Sequence, residues 1–455
     1  MNDLQKKEYS RFIRNASTLG TPIMIQNLLS NMATFIDTLM IGQLSEASIA
    51  AVGVASQLFF LVMLFLFGVS SGSAIFIAQF WGAKDKEGIQ KVLGLGLTLS
   101  VVVTILVAIV STLNPSLLMN LFSTDVAVVE QGNTYLKLVG FSYVFTAISF
   151  VISIGFRSVG DSKTPLFISL ISSAFNVLGN YLLIFGIGIF PEMGVAGAAI
   201  STSISRILEM IAYLVIINVR KDCPMKINFR VAFKFDGAFT KRFFVTCAPV
   251  IINELFWSFG MVCYKIAYSK IGTNALAAVQ IIESINNLFF VVIQGFASAT
   301  AVLIGIRIGM GDEREARLYS KLSAYLSLIV GAFVGLLIAF ISPKFLFLFN
   351  ISDYVREIAL YSMYVIAILA PIKAFNANSV VGIMRSGGDT KYSMYLEMGS
   401  VWMVGVPLAF LGSMVFKLDL PLLYLLVGSE EITKFLFGVY RIKSGKWYNN
   451  LTQKK

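Results

Sequence analysis

The 455-residue chain has no histidine, three cysteines and few charges, which make up 13% of its residues. That is about half the charged share of an ordinary soluble domain. Without imidazole, histidine-based acid–base catalysis is excluded, and a structural zinc site loses its usual ligands. Cys223, Cys247 and Cys263 are too few to form a disulfide framework. What is present is apolar: 57% hydrophobic residues and a mean hydropathy of +0.79. This balance excludes a soluble globular enzyme, a disordered tail and a nucleic-acid reader. The net charge of +11 then reads as basic loops on one side of a membrane rather than as attraction to an anionic partner.

A membrane-crossing helix needs about 20 apolar residues. That measure predicts an all-α integral membrane fold of twelve spans. Six fall near 15–42, 50–80, 92–113, 132–156, 164–188 and 194–219, and six more near 243–270, 277–309, 319–342, 354–384, 391–415 and 419–440. The first 14 residues lack the apolar stretch and small-residue cleavage site of a removable signal. Lys and Arg collect at the N-terminus, in alternate loops and at the C-terminus, with seven between Arg220 and Arg242. The opposite loops hold Lys270, Lys344, Arg356 and Lys417. The asymmetry predicts a multi-pass protein with both termini in the cytoplasm.

The two halves repeat. A shift of 227 residues lays Pro22 on Pro249, Gly68 on Gly295, Gly82 on Gly309 and Asp85 on Asp312. A shift of 228 lays the Arg157–Asp161 loop on Arg385–Asp389. Six helices per repeat predict two bundles related by pseudo-two-fold symmetry, with a substrate cavity between them. The expected organisation is an N-terminal lobe (1–219), a basic cytoplasmic linker (220–242) and a C-terminal lobe (243–455).

Several stretches carry a family resemblance: FIDTLMIG (35–42), IAQFWGAKD (77–85), RSVGDSKTP (157–165), RSGGDTK (385–391) and NVLGNYLLIFGIGIFPEMGVAGAAISTSIS (176–205). In order and spacing they resemble the multidrug and toxic compound extrusion (MATE) family. The resemblance implies a cation-coupled antiporter of the plasma membrane that exports organic cations and other amphipathic compounds. No cofactor is expected beyond H⁺ or Na⁺ as coupling ion. The expected partners are small-molecule drugs and membrane lipid, with no nucleic acid and no obligate protein partner. A transporter rather than an enzyme is expected, and no GxxxxGK[ST] loop suggests ATP drive.

Ionisable residues inside a membrane are costly and mark functional sites. Asp37 is the sole acid of 15–42. Burial disfavours its ionised form, so it could exchange a proton or be neutralised by bound Na⁺; structural hydrogen bonding is the alternative reading. The resemblance groups Asp37, Asn176, Asn180 and Thr202 as the cation-coupling site, with Asp37 and Asn180 as Na⁺ ligands. Asn180 stands where some members carry an acid. In the second half, Glu254 and Glu283 read either as a secondary acidic site for cationic substrate or as partners of Lys265 or Lys373. Trp257 and Ala374 stand where some members carry acids. Arg206 and Glu209 are spaced to pair with each other. Arg157 and Arg385 are expected to tie cytoplasmic loops to helix ends. A lipid-linked oligosaccharide flippase of related architecture is the competing function, kept in view by Lys265, Lys373 and Arg206.

Overall fold

The computed structural model describes residues 3–349 and 351–453, with side chains from Lys7 onward. The side chain of Lys6 and the residues Lys454 and Lys455, counted above among the basic ends, lie outside it. All regular structure among the described residues is helical. The first half forms α1 (Asp3–Gly42), α2 (Glu46–Gly82), α3 (Lys86–Leu113), the short α4 (Pro115–Met119), α5 (Val126–Val139), α6 (Ser142–Ser158), α7 (Lys163–Phe185) and α8 (Gly194–Val219). A linker with one helical turn, α9 (Phe229–Ala232), leads to α10 (Gly237–Ser269), α11 (Thr273–Gly309), α12 (Glu313–Leu346) and α13 (Asp353–Ala377). The chain ends with α14 (Thr390–Ser400), α15 (Val406–Phe410), α16 (Leu420–Val427) and α17 (Ser429–Ser444).

Taken as continuous passes, these helices make the twelve expected from hydropathy. Nine among the described residues are long and apolar enough to cross a membrane, and a tenth is the bent pair α5–α6. The other two are α1, which carries Gln26, Asn27, Asn31 and Asp37, and α16–α17, which carries Glu430, Glu431 and Lys434. Their polar residues lower the apolar character, and a turn at Gly428 separates α16 from α17.

Three more expected spans depart from a plain helix. The one near 132–156 bends by 53° between α5 and α6. There the Ser142 hydroxyl donates to the Val139 carbonyl at 2.7 Å, taking up an acceptor that a straight helix would use internally. The span near 354–384 winds as a π-helix over Asn378–Arg385, and the one near 391–415 does so over Val401–Gly405 and Leu411–Val415. Such wide turns cluster at functional positions.

By packing, the chain groups into two compact units: Ile25–Ile77 with Asp85–Phe244, and Val245–Lys455 with Met1–Met24 and Ala78–Lys84. In the first, α7 lies along α8, and α3 packs on α6. In the second, α12 and α13 form the closest pair, with Gly331 and Gly335 set against the backbone of Ala367 and Ala370. Small residues four apart bring helices together where the hydrophobic effect cannot.

The repeat survives at atomic detail. A Cβ on Gly82 would overlap the Ile306 carbonyl, and one on Gly309 would overlap the Gln79 carbonyl. Gly82 and Gly309 are equivalent in the repeat, and so are Gln79 and Ile306. The turns that follow match as well: Lys84 and Gly311 both have positive φ (59° and 76°). Asp85 and Asp312 each accept a backbone hydrogen bond at 2.9 Å, from Gly88 and Glu315. Gly309→Val forces this crossing apart and is expected to destabilise the protein by about 1–3 kcal/mol, the usual cost of overpacking. Thermal unfolding in detergent reads the loss; an unchanged midpoint would rule out a close crossing.

Candidate functional site

In the first unit, three helices, α1, α7 and α8, bring the predicted residues together around Asp37. Asn176 and Asn180 lie one turn apart on α7, so they share a face. The Asn180 amide donates to Asp37 Oδ1 at 2.6 Å. Turned with its nitrogen toward the carboxylate, Asn176 donates to both Asp37 oxygens at 3.1 Å. Its other amide atom is 3.3 Å from the Thr202 hydroxyl on α8. Ser201 steadies this arrangement by donating to the Asn176 carbonyl at 2.9 Å. Asn180 is 1% exposed, and its amide oxygen has no donor among the described residues. All four predicted residues therefore meet, and they offer one carboxylate plus neutral oxygens.

Sequence reasoning missed Tyr135 on α5. Its phenol lies beside Thr202, within electrostatic reach of Asp37 and Arg206. A tyrosine in an apolar helix resembles many others, and only the bend at Gly140 and the packing of α5 on α8 bring it here. Arg206, four residues after Thr202, pairs with Glu209 at 2.8 Å as their spacing predicts.

In the second unit the two predicted acids fall into separate networks. Glu254 pairs with Arg385 at 2.8 Å, not with Lys265 or Lys373. Arg385 is itself no loop tie: its side chain is 3% exposed, and it also reaches Glu397 at 3.3 Å. Helix rotation explains the correction, because the π-helical stretch carries Arg385 inward toward α10 and α14. The first repeat has a neutral counterpart, in which Arg157 donates to Gln26 at 2.6 Å. Glu283 does pair with Lys265, at 2.8 Å, and Lys373 sits over the Phe290 ring. Lys265 and Arg206 are thus neutralised by carboxylates, which removes much of the charge a pyrophosphate carrier would need. The list of intramembrane acids read from sequence omitted Glu397, Glu430 and Glu431. Lys434 pairs with Glu430, Tyr264 donates to Glu430, and Asn376 donates to Glu431 at 2.7 Å. The Glu430–Lys434 spacing of four was the available signal.

The loops are tied by aspartates rather than by the arginines expected to do so. Asp389 accepts two hydrogen bonds from Arg441, at 2.7 and 3.0 Å. Asp161 accepts from Arg220 at 2.7 Å and from the Thr164 amide and hydroxyl at 3.0 and 2.8 Å. Partial burial alone would raise the Asp161 pKa, but these hydrogen bonds outweigh it and hold the carboxyl below its ordinary value. A carboxyl depressed by folding stabilises the protein above the unfolded pKa of about 4 and ceases to as pH falls through the lower folded value. Wild type is therefore expected to be more stable than Asp161→Asn at neutral pH, by no more than about 1 kcal/mol because Arg220 is half-exposed. The difference should vanish in acid. Paired unfolding curves across pH 2–7 check this; a gap that persists at the acid end contradicts it.

A family model described as MatE matches the chain twice, at residues 22–182 and 249–411, with starting points one 227-residue repeat apart. The transporter YisQ of Bacillus subtilis is 26% identical over 94% of this chain and 94% of its own length. A probable multidrug resistance protein, NorM, of Thermotoga maritima is 25% identical over 98% of this chain and 95% of its own. A solved MATE-family multidrug resistance transporter in an outward-facing conformation aligns with a TM-score of 0.84 at 21% identity, covering 95% of this chain and 96% of that one. A MOP-superfamily transporter from Pyrococcus furiosus aligns with a TM-score of 0.85 at 21% identity over the same shares.

Proposed function

The chain belongs to the MatE family of membrane transporters, and we propose that it works as a cation-coupled efflux antiporter for organic cations and other amphipathic compounds. The observation that carries the reading is the convergence of Asn176, Asn180 and Thr202 on the Asp37 carboxylate. Relatives named as multidrug resistance proteins support the substrate class. The basic-loop asymmetry supports a plasma-membrane protein with cytoplasmic termini.

The Asp37 site can serve either coupling ion. Na⁺ takes hard oxygen ligands, and the Asp37 carboxylate with the undonated Asn180 oxygen supplies two of them. A proton suits the site as well. An ionised Asp37 needs donors, whereas a protonated one needs an acceptor, and the Asn176 amide presents nitrogen or oxygen by a half-turn. Coupling requires the ion to bind one conformational state more tightly than the other. In the second lobe, Glu283 keeps 30% side-chain exposure against 14% for Glu254. We assign Glu283 to contact with a cationic substrate that takes the place of Lys265 beside it, and Glu254 to the scaffold.

Proteoliposomes loaded with a fluorescent organic cation test the reading, under proton and Na⁺ gradients imposed separately. Export should accelerate with one gradient and lose that dependence when it is collapsed. Indifference to both would reject cation coupling.

A further inference from the structure

The linker between α8 and α10 forms the wall of an open cavity of about 630 Å³ in the first unit. Lys86, Lys221, Lys226 and Arg230 line it against a single carboxylate, Asp222. None of these four cations makes an ion pair with a described residue, whereas the neighbouring Arg220 is held by Asp161. Four unpaired cations lining one cavity repel one another unless an anion enters. Gln90 adds a buried amide oxygen that has no donor among the described residues.

The wall is built rather than loose. Cys223, Met225 and Ala232 are buried, at 7%, 1% and 0% exposure. Gly94 on α3 approaches the Ala232 carbonyl so closely that no Cβ would fit between them. These anchors leave the basic side chains outward. Beside them stand exposed rings: Phe229 is 74% exposed, Phe233 43% and Phe235 42%. The Phe229 and Phe233 rings stack at 5.8 Å. The segment joins two membrane-spanning helices across 17 residues, 220–236, so it lies at a membrane surface. Basic side chains with exposed aromatics at that depth suit the headgroup region of anionic lipid.

We propose that this cavity binds the headgroup of an anionic phospholipid. Lys86, Lys221, Lys226 and Arg230 surround the phosphate, and the three phenylalanines enter the boundary between headgroups and acyl chains. A glycerol headgroup would donate a hydroxyl to the Gln90 oxygen. The site is separate from the Asp37 cluster and requires neither coupling ion nor drug.

The full chain in detergent, titrated with phosphatidylglycerol or phosphatidylcholine, tests this by native mass spectrometry and thermal midpoint. Wild type should retain phosphatidylglycerol preferentially and be stabilised by it. Each cation removed should weaken retention about fivefold. Lys221→Gln/Lys226→Gln/Arg230→Gln should therefore lose about 10²-fold. A control of equal charge change, Lys270→Gln/Lys344→Gln/Lys417→Gln, should bind as wild type does. Equal loss in both triples would make the effect one of net charge and overturn the site. Equal binding of phosphatidylcholine would overturn it too, as would displacement of the lipid by millimolar inorganic phosphate. Should the linker triple unfold without lipid, Arg230→Gln alone carries the test through its fivefold loss.

Discussion

Asp37→Asn is expected to reduce coupled efflux to the rate of empty liposomes while leaving the protein folded and inserted. The substitution keeps shape and hydrogen-bonding capacity but removes the one carboxylate among Asn176, Asn180 and Thr202. Neither a proton nor Na⁺ can then be held by charge, since the remaining ligands are neutral. The structural cost is modest: the charge-assisted hydrogen bonds from Asn180 and Asn176 become neutral ones, a loss of about 1 kcal/mol for each donor. Efflux of a fluorescent cation and the thermal midpoint, measured on the same preparation, separate the two effects. Full transport by the variant would remove Asp37 from the mechanism. Lost transport with an equally lost fold would reduce it to a scaffold residue.

Arg385→Gln is expected to be the most destabilising substitution in the second unit. The guanidinium lies buried between Glu254 and Glu397, and Asn253 also donates to Glu397 at 2.5 Å. Removing one member of a buried ion pair typically costs about 3–5 kcal/mol, because the opposite charge is left uncompensated. Glu254→Gln is milder, since Arg385 keeps Glu397 and gains the arrangement that Arg157 already has with Gln26. In the double variant Glu254→Gln/Arg385→Gln, part of the single Arg385→Gln loss should return. Thermal midpoints of the three variants decide the matter. Equal midpoints for Arg385→Gln and wild type would show that the bridge contributes nothing.

The linker between α8 and α10 is held by buried side chains. It was legible in the sequence as a basic stretch, but composition alone could not separate a solvated loop from a wall with buried anchors at Cys223, Met225 and Ala232. The repeat was legible in more detail. Gly82 and Gly309 matched in sequence, and the structure makes them partners across one helix crossing, each against the other's repeat-equivalent carbonyl.

The sequence by itself determined the membrane class, the twelve helical passes and the duplication, while the grouping of Asp37, Asn176, Asn180 and Thr202 came from the family resemblance of its motifs. Hydropathy, repeat spacing and motif order are properties along the chain, and they persist however the helices turn. Only the tertiary structure decided the ion pairs between distant helices and the membership of Tyr135. Glu254 and Arg385 are 131 residues apart, and Lys265 was as plausible a partner on paper. Which charges meet depends on the rotation and bending of whole helices. The π-turns at Asn378–Arg385 and the break at Gly140 set that rotation, through backbone hydrogen bonds that a linear hydropathy pattern does not encode.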